Sequence, residues 1–365
     1  MSNIITNIAY KMVLFKEDGA CGLIFQAKFM HLVDGNYRKL MNINRRKFFE
    51  KSVLAGLAVN QCVSPIATAF PTANILLPSE VNDAFKISIF SKNLQWLGYA
   101  EMAKVAAEIG FDGIDLTVRP GGHVLPENVS TELPKAVEAI RKSGLDVYMI
   151  TTAINDDRDR HTESILKAAS ALGIRHYRLG WLSYDSKQNI DENLKNFQSK
   201  LRAIAELNSK YGIIGEYQNH SGTYFGAPVW DLHKVLQEIN SPWVGSQYDL
   251  LHATVEGFNA WTLGYELLKP YIKSIDIKDF QWSAKSGRWA LEVVPLGEGL
   301  IDYPKFLSMI KRDGLKIPVS VHYEFPLGGA EDGARSITKS KDSVIAAMKK
   351  DCDKLRTLMR DAQLL

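Results

Sequence analysis

The sequence NLKNFQSKLRAIAELNSKYGIIGEYQNH, residues 193–220, contains a long helix-like segment followed by a short strand-like one. Gly212 separates the two segments, at the kind of position where helices usually stop. In the strand-like part, Glu216, Gln218 and His220 occupy alternate positions, so an extended chain places them on one face. A core strand would carry Val, Ile or Leu at these positions, so this face indicates a strand whose end lines a polar site.

The same alternation of short strands and longer helices continues on both sides of this stretch. The predicted strands are residues 85–91, 113–118, 147–154, 176–181, 213–220, 244–250, 272–280 and 318–325. The predicted helices are residues 99–110, 133–144, 162–173, 193–212, 229–239, 261–268, 303–312 and 340–363. Parallel neighbours need crossover helices, and eight strands favour closure into a single-domain α/β fold, the (β/α)8 TIM barrel, over an open sheet. No G-x-G-x-x-G pattern follows the first strand, which weakens the dinucleotide-binding alternative.

The composition excludes several classes of protein. The chain has 365 residues, of which 46% are hydrophobic and 23% charged, as expected of a globular protein with a sizeable core. The net charge of +3 comes from well-mixed basic and acidic residues, which argues against a nucleic-acid partner. No apolar run after residue 85 approaches the roughly 20 residues of a membrane span.

The region before the barrel is typical of an export signal. The paired arginines of RRKFF, residues 45–49, precede a short apolar run, and ATA, residues 67–69, provides a small-residue cleavage site. This pattern resembles the twin-arginine type, which exports folded proteins, although a short amphipathic helix is an alternative. We expect residues 1–40 to precede the native start, and we predict a signal peptide, a linker and a periplasmic barrel over residues 41–69, 70–83 and 84–365.

Cleavage of this signal would remove Cys21 and Cys62 and leave Cys352 alone. The mature protein would then hold no intrachain disulfide, despite an oxidising compartment, and no membrane anchor. Its stability would rest on the core of the barrel.

Polar residues also follow the other predicted strands. They are Arg119, His123, Arg178, Trp181, Asp249, His252, Asp276, Lys278 and Glu324. In such barrels the active site lies at the carboxyl ends of the strands, so these side chains are expected to converge on one mouth.

Three of these residues, Asp249, Asp276 and Glu324, are carboxylates that would repel one another unless a positive charge lies between them. A divalent metal is the economical solution, with Gln218 adding a neutral oxygen ligand. Oxygen-rich sites suit Mg²⁺ or Mn²⁺, whereas a histidine ligand would favour Zn²⁺ or Mn²⁺. The alternative for each residue is a loop cap or an ion pair.

Glu216 lies about one layer deeper in the barrel than Gln218. A carboxylate at that depth needs a buried partner, such as Lys278 or Arg178, or a raised pKa.

Residues 84–335 resemble the xylose isomerase-like TIM barrels, a group that holds sugar isomerases, sugar epimerases and endonuclease IV. The motifs that carry the resemblance are GFDGIDL (110–116), YQNHSG (217–222), YDLLHA (248–253), IDIKDF (275–280), PLGEG (295–299) and HYEF (322–325). The resemblance implies a Mn²⁺-like ion held by a Glu, an Asp, a His and a Glu on strands five to eight. The matching positions here are Gln218, Asp249, Asp276 and Glu324, while His252 and Lys278 match the family's second histidine and its motif lysine.

Two departures from the family pattern affect the chemistry. Gln218 stands where Glu or His is expected and cannot act as a general base, and Asp276 replaces His. Glu324 remains as a base. We expect the second proton carrier to be His220, whose ordinary pKa suits the task, with His123 or Lys278 as alternatives.

The resemblance implies a metal-dependent isomerase or epimerase acting on a small-molecule carbohydrate, a sugar or an oxidised (keto) sugar. The predicted export favours an unphosphorylated substrate, because phosphorylated sugars are scarce outside the cytoplasm. The metal would chelate adjacent oxygens and stabilise an enediolate. Substrate-binding candidates are His123, Arg119, Arg178, His252, Glu216 and Trp181, the last by stacking. One alternative is a lyase or hydrolase that acts on a keto-glycoside through the same enolate. Another is a non-catalytic sugar-binding barrel. Residues 283–304 are expected to form a long loop that covers the mouth or contacts a neighbour in a homo-oligomer.

Overall fold

The computed structural model describes residues 11–17, 20–26, 85–284 and 287–365. The chain divides into two units, residues 1–73 and 74–365. In the first unit, β1 (Lys11–Glu17) pairs antiparallel with β2 (Ala20–Gln26). The proposed signal at residues 41–69 lies outside the described residues and stays a prediction.

The second unit is a closed eight-stranded barrel, as predicted. Its strands are β3 (Ile87–Phe90), β4 (Gly113–Val118), β5 (Asp146–Thr152), β6 (His176–Arg178), β7 (Ile214–Gln218), β8 (Val244–Asp249), β9 (Ile272–Ile277) and β12 (Val319–Val321). All neighbouring pairs are parallel, and β12 lies between β9 and β3, so the last strand closes the sheet on the first.

Helices connect these strands. They are α1 (Tyr99–Ile109), α2 (Val129–Lys142), α3 (Thr162–Ala171), α4 (Ile190–Tyr211), α5 (Val229–Ile239), α6 (Leu250–Gly257), α7 (Trp261–Leu268), α8 (Tyr303–Arg312) and α9 (Lys341–Asp361). The longest, α4, begins at a capping box in which Asn189 and Glu192 bond each other's backbone N–H groups, and it ends at Gly212 in the left-handed conformation. Among the described residues, no helix combines the length and apolarity that a membrane crossing needs.

Two elements differ from the sequence-based prediction. Strand 272–280 breaks at Lys278, and the loop expected after it is an antiparallel hairpin of β10 (Asp279–Ser283) and β11 (Ala290–Val294). The carboxylate of Asp279 anchors this hairpin because it accepts backbone N–H bonds from Phe280, Gly297, Gly299 and Ile301. The second element is α6, which follows β8 directly, with the Asp249 side chain accepting the backbone N–H of His252.

Alternation along β7 sets which residues face the barrel interior. Gly215 and Tyr217 lie on the outer face under α4, and a Cβ at Gly215 would lie only 2.7 Å from the Asn208 amide nitrogen. The helix can therefore approach this strand only because residue 215 has no side chain. Glu216 and Gln218 consequently face inward, where both are buried.

Candidate active site

The inward residues of the barrel form two polar layers, and Glu216 belongs to the lower one. Its side chain is fully buried, with one carboxylate oxygen 2.5 Å from His176 Nδ1 and the other accepting a bond from the Ser274 hydroxyl. These partners replace the Lys278 or Arg178 expected from the sequence. They were missed because they lie on two other strands, the adjacent β6 and the non-adjacent β9. Both oxygens of Glu216 are thus engaged below the mouth.

Asp115 on β4 is a second buried carboxylate of the barrel interior. It accepts bonds from the hydroxyls of Thr151 at 2.9 Å and Ser320 at 2.8 Å, which come from β5 and β12. Burial raises the pKa of Asp115 to about 6, although these hydrogen bonds oppose the rise.

Gln218 lies in the upper layer, between two carboxylates. Its amide nitrogen donates to Asp249 at 2.9 Å and to Asp276 at 2.7 Å, while its carbonyl oxygen accepts from Arg178 at 3.0 Å. Asp249 and Asp276 are register partners on β8 and β9, so the strand pairing itself places them side by side. Burial and the Asp249 charge raise the pKa of Asp276 well above its ordinary value.

Lys278 is the central cation of the site. Its ammonium lies 3.1 Å from Asp249 and 3.3 Å from Glu324, and the whole residue is 4% exposed. Burial alone would lower the pKa of Lys278. The carboxylates of Asp249, Glu324 and Asp276 outweigh burial and raise the pKa above its ordinary value. The amine therefore stays charged, and it joins carboxylates from β8 and from the segment after β12.

Glu324 is the carboxylate that reaches the mouth, with its side chain 28% exposed. One oxygen faces Lys278, and the other lies 3.7 Å from Lys92 and 3.8 Å from His322 Nδ1. Burial would raise the pKa of Glu324, but Lys278, His322 and Lys92 together hold it well below its usual range. Glu324 is therefore an ionised carboxylate that a bound molecule can touch.

Two histidines also lie beside the Lys278 ammonium. His252 Nε2 accepts from the Lys278 ammonium at 2.9 Å, and its Nδ1 lies 2.8 Å from the Ser221 hydroxyl. The ring of His220 is 3.9 Å from that of His252 and 4.7 Å from that of Trp181. Burial, followed by the Lys278 charge, lowers the pKa of both histidines, so both are neutral near pH 7.

Buried asparagines fix the two strand ends that carry these groups. Asn219 exchanges two hydrogen bonds with the backbone of Asp249, at 2.9 and 2.8 Å. Asn93 makes the corresponding pair with the backbone of Tyr323, at 2.6 and 3.1 Å. These bonds hold Asp249 and Glu324 in place without help from a ligand.

The other three cations of the site lie around the buried ring of Phe90, at the end of β3. The charged groups of Arg119, Arg178 and Lys92 lie 5.4, 5.6 and 5.8 Å from its centroid, and the ring of His322 stacks on it at 4.4 Å. Arg178 also lies 5.3 Å from the ring of Trp181. Arg119, Arg178 and Trp181 thus lie close together near the carboxyl ends of the strands, and their role in substrate binding stays a prediction.

His123 is held away from this cluster. Its backbone N–H donates to the Thr117 hydroxyl, and Tyr99 donates to its carbonyl oxygen. Burial lowers the pKa of His123 to about 4. Within the described residues, none of its contacts joins it to the strand-end carboxylates.

The four residues expected to bind a metal meet, but their oxygens do not face one point. Oxygens of Asp249 and Glu324 face the Lys278 ammonium, and Gln218 turns its N–H groups, not its carbonyl oxygen, toward the two aspartates. In residues 85–284 and 287–365, no group of three or more His, Cys, Asp or Glu side chains is placed to hold a metal ion. The donor set arranged in this way does not fit Mn²⁺, Mg²⁺ or Zn²⁺, which need several converging ligands.

Lys92 and Phe90 were not among the site residues predicted from the sequence. Both lie at the end of the first barrel strand. The apolar run ISIF (87–90) predicts a core strand, so the polar residues SKN (91–93) that follow it were not assigned to the site. The same rule that selected the other strand ends, a polar residue just after a barrel strand, would have found Lys92.

Comparisons with known proteins agree with this architecture. The family model for the xylose isomerase-like TIM barrel matches residues 103–340. No curated protein matches the chain.

Similar solved structures include sugar epimerases. An E. coli 3-keto-D-glucoside 4-epimerase is 16% identical, with 75% of this chain and 99% of that chain covered and a TM-score of 0.56. An L-ribulose 3-epimerase is 14% identical over 76% of this chain and 96% of that one, with a TM-score of 0.59. A xylose isomerase-like protein from Mycobacterium smegmatis in complex with magnesium is 14% identical over 76% and 97%, with a TM-score of 0.56. At these identities the likeness establishes the fold alone.

Proposed function

The chain belongs to the family of xylose isomerase-like TIM barrels, and we propose that it is a sugar isomerase or epimerase that moves a proton at a carbon next to a carbonyl group. The observation that carries the proposal is the buried Lys278 ammonium held between Asp249 and Glu324, beside the mouth of the barrel. A fixed positive charge next to an accessible carboxylate is what abstraction of a proton alpha to a carbonyl requires.

Lys278 supplies the electrophile in this proposal. Removing the proton next to a carbonyl places negative charge on the carbonyl oxygen, and a buried ammonium stabilises that charge more strongly than water does. Asp249 and His252 hold the amine from two directions, so it needs little reorganisation when the charge develops. No step of this mechanism passes through a metal ion, because the donor set does not fit one.

Glu324 takes the proton. It is ionised and partly exposed, so its carboxylate can reach a bound sugar. The cations that keep it ionised also lower its basicity. Abstraction therefore depends on the acidity that Lys278 confers on the substrate C–H bond.

His220 is the proposed donor on the opposite side. Its Nδ1–H donates to the carbonyl oxygen of Ser221 at 2.9 Å, which leaves Nε2 as the nitrogen that can accept and return a proton. Its ring lies against Trp181, whose face is the candidate stacking surface for the sugar. For an epimer, neutral His220 takes a proton from solvent at Nε2 and delivers it to the same carbon from the face opposite Glu324, while Glu324 releases the abstracted proton to solvent. For an isomer, Glu324 delivers the abstracted proton to the neighbouring carbon, and the hydroxyl proton moves to the former carbonyl oxygen.

The sequence-based expectation of export forms a separate part of the proposal. Residues 41–69 would direct the folded barrel to the periplasm, where an unphosphorylated sugar or keto-sugar is the expected substrate. N-terminal sequencing of the native protein tests this part. A mature chain that retains residues 41–69 would contradict it.

Exchange of sugar hydrogens with deuterated solvent tests the catalytic proposal. The wild type should exchange a C–H next to the carbonyl in at least one member of a panel of aldoses, ketoses and keto-glycosides. Glu324→Gln should slow this exchange by about 10²- to 10⁴-fold, the usual contribution of a general base. Glu298→Gln is the matched control, because Glu298 is an exposed glutamate paired with Lys350.

Two results would contradict the proposal. Exchange at the wild-type rate in Glu324→Gln would exclude Glu324 as the base, and binding of sugars without exchange in any of them would favour a sugar-binding barrel. Exchange accompanied by loss of the aglycone from a keto-glycoside would indicate a lyase.

A further inference from the structure

A cavity at the mouth of the barrel is lined by two closely spaced cations, Lys92 and Arg119. It has a volume of about 410 Å³, and its lining includes Lys92, Arg119, Asp332 and Gly333. This volume lies within the range of small-molecule sites. Lys92 links the cavity to the catalytic region because it also faces Glu324.

The cations around this cavity crowd one another. Arg119, Lys92 and Arg178 all lie within 6 Å of the centroid of the Phe90 ring, although like charges repel. Burial, followed by repulsion from Arg178, lowers the pKa of Arg119 to about 10. Burial also lowers the pKa of Lys92, and Lys278, Arg119 and Arg178 add to this effect.

Arg119 differs from the other cations because, within the described barrel, its guanidinium has neither an ion-pair partner nor a hydrogen-bond partner. Lys92 pairs with Glu324, and Arg178 bonds Gln218. Asp115, which opposes the repulsion on Arg119, is fully buried and bound to Thr151 and Ser320. The one carboxylate that lines the cavity, Asp332, is an exposed rim residue.

The charged residues at the carboxyl ends of the strands, the upper layer of the barrel, carry an excess of positive charge. Its cations outnumber its carboxylates by one, since Lys92, Arg119, Arg178 and Lys278 face Asp249, Asp276 and Glu324. Burial and the Asp249 charge favour the protonated form of Asp276, which increases the excess. A half-buried, unpaired guanidinium on a cavity of this size is the kind of group that binds a carboxylate or a phosphate.

We propose that Arg119 and Lys92 bind an anionic group of the substrate, a carboxylate or a phosphate monoester, in the cavity beside Glu324. This inference rests on the proposed function, because it places the anion on the sugar that Glu324 deprotonates. It narrows the substrate to an acidic sugar. A carboxylate agrees with the unphosphorylated substrate expected of an exported barrel, whereas a phosphate monoester would contradict that expectation. Arg119 would provide two parallel N–H donors to the anion, and Lys92 a point charge.

Gly333 supports the role assigned to Lys92. A Cβ at Gly333 would lie 2.8 Å from Lys92 Cγ, and Gly333 has a φ of +76°, which disfavours any side chain. The absence of a side chain thus leaves room for the Lys92 stem along the cavity wall.

Calorimetric titration tests the inference with three matched sets of probes: hexoses, the corresponding hexuronates and the corresponding hexose 6-phosphates. At least one acidic probe should bind the wild type ten times more tightly than its neutral counterpart. Arg119→Gln should weaken that probe by about 10- to 100-fold, the effect of losing a charged hydrogen bond, and leave the neutral sugar unchanged. Arg360→Gln, an exposed arginine of α9, is the matched control.

The probes separate the two sources of anion, because a uronate preference indicates a carboxylate and a phosphate preference indicates a phosphate. Neutral sugars that bind as tightly as acidic ones would overturn the inference. So would a preference that survives in Arg119→Gln, or a wild type that binds no acidic probe. Hydrogen exchange in neutral sugars alone would overturn this inference and leave the proposed function standing. Tight binding of acidic sugars without hydrogen exchange would support this inference and contradict the proposed function.

Discussion

Replacing Gln218 with glutamate changes one buried donor into a buried acceptor, with almost no change of shape. The Gln218 amide nitrogen donates to Asp249 at 2.9 Å and Asp276 at 2.7 Å. In Gln218→Glu both bonds are lost and a third carboxylate faces two others. Each hydrogen bond to a charged group contributes about 1.5–3 kcal/mol, so loss of the two bonds removes about 3–6 kcal/mol. Arg178, 3.0 Å from the Gln218 carbonyl oxygen, would pair with the new carboxylate and compensate its charge in part. We therefore expect the variant to lose about 3–6 kcal/mol of unfolding free energy.

Urea unfolding at pH 8 in the presence of a chelator measures this loss. Gln237→Glu, on the exposed face of α5, introduces the same charge and should change the unfolding free energy by less than about 0.5 kcal/mol. Part of the loss in Gln218→Glu should be recovered at pH 5, where the new carboxylate can protonate and donate again. Equal stability of Gln218→Glu and wild type at pH 8 would show that Gln218 does not act as a hydrogen-bond donor between the two aspartates.

Two further predictions concern other buried charges. Lys278→Met removes the central cation, so it should abolish hydrogen exchange and cost about 3–5 kcal/mol in urea unfolding; a fully stable variant would show that the carboxylates do not depend on the amine. Asp115 has a folded pKa of about 6 against an ordinary 3.8, so its contribution to stability is present below pH 4 and is lost as the pH rises through 6. At about 1.4 kcal/mol per unit, Asp115→Asn should gain roughly 3 kcal/mol relative to wild type between pH 4 and pH 7, measured by urea unfolding at both values. A pH-independent difference between the two proteins would contradict this second prediction.

Much of the fold could be predicted because local signals agree with the tertiary structure. Strand 113–118 and helices 229–239, 261–268 and 303–312 have the predicted bounds. The hairpin of β10 and β11 was missed because the strand before it was read through Lys278. Its stability depends on Asp279 and the backbone N–H groups of residues 297–301, a contact made across 18 to 22 residues.

The sequence predicts which residues lie at the site, but it does not predict which of their side-chain groups contact one another. Strand-end positions identified Asp249, Asp276, Lys278 and Glu324, because the barrel brings every carboxyl end to one mouth. Which groups touch depends on the stagger between strands and on side-chain length. These determine that the Lys278 ammonium lies between two carboxylates and that Gln218 presents its N–H groups, so the expected metal arrangement was not found. The Glu216 pairing with His176 likewise depends on neighbouring strands.

Metal analysis of the purified protein tests whether the Lys278 ammonium, rather than a metal ion, lies between the strand-end carboxylates. Wild type, Asp249→Ala and Glu324→Ala are each equilibrated with Mn²⁺, Mg²⁺ and Zn²⁺, freed of unbound ion by gel filtration, and analysed by elemental mass spectrometry. Because the Lys278 ammonium lies between the carboxylates, we expect wild type to retain no stoichiometric metal and its thermal unfolding to be unchanged by these ions. One equivalent of metal in wild type that is lost in both variants would contradict the ammonium-centred site.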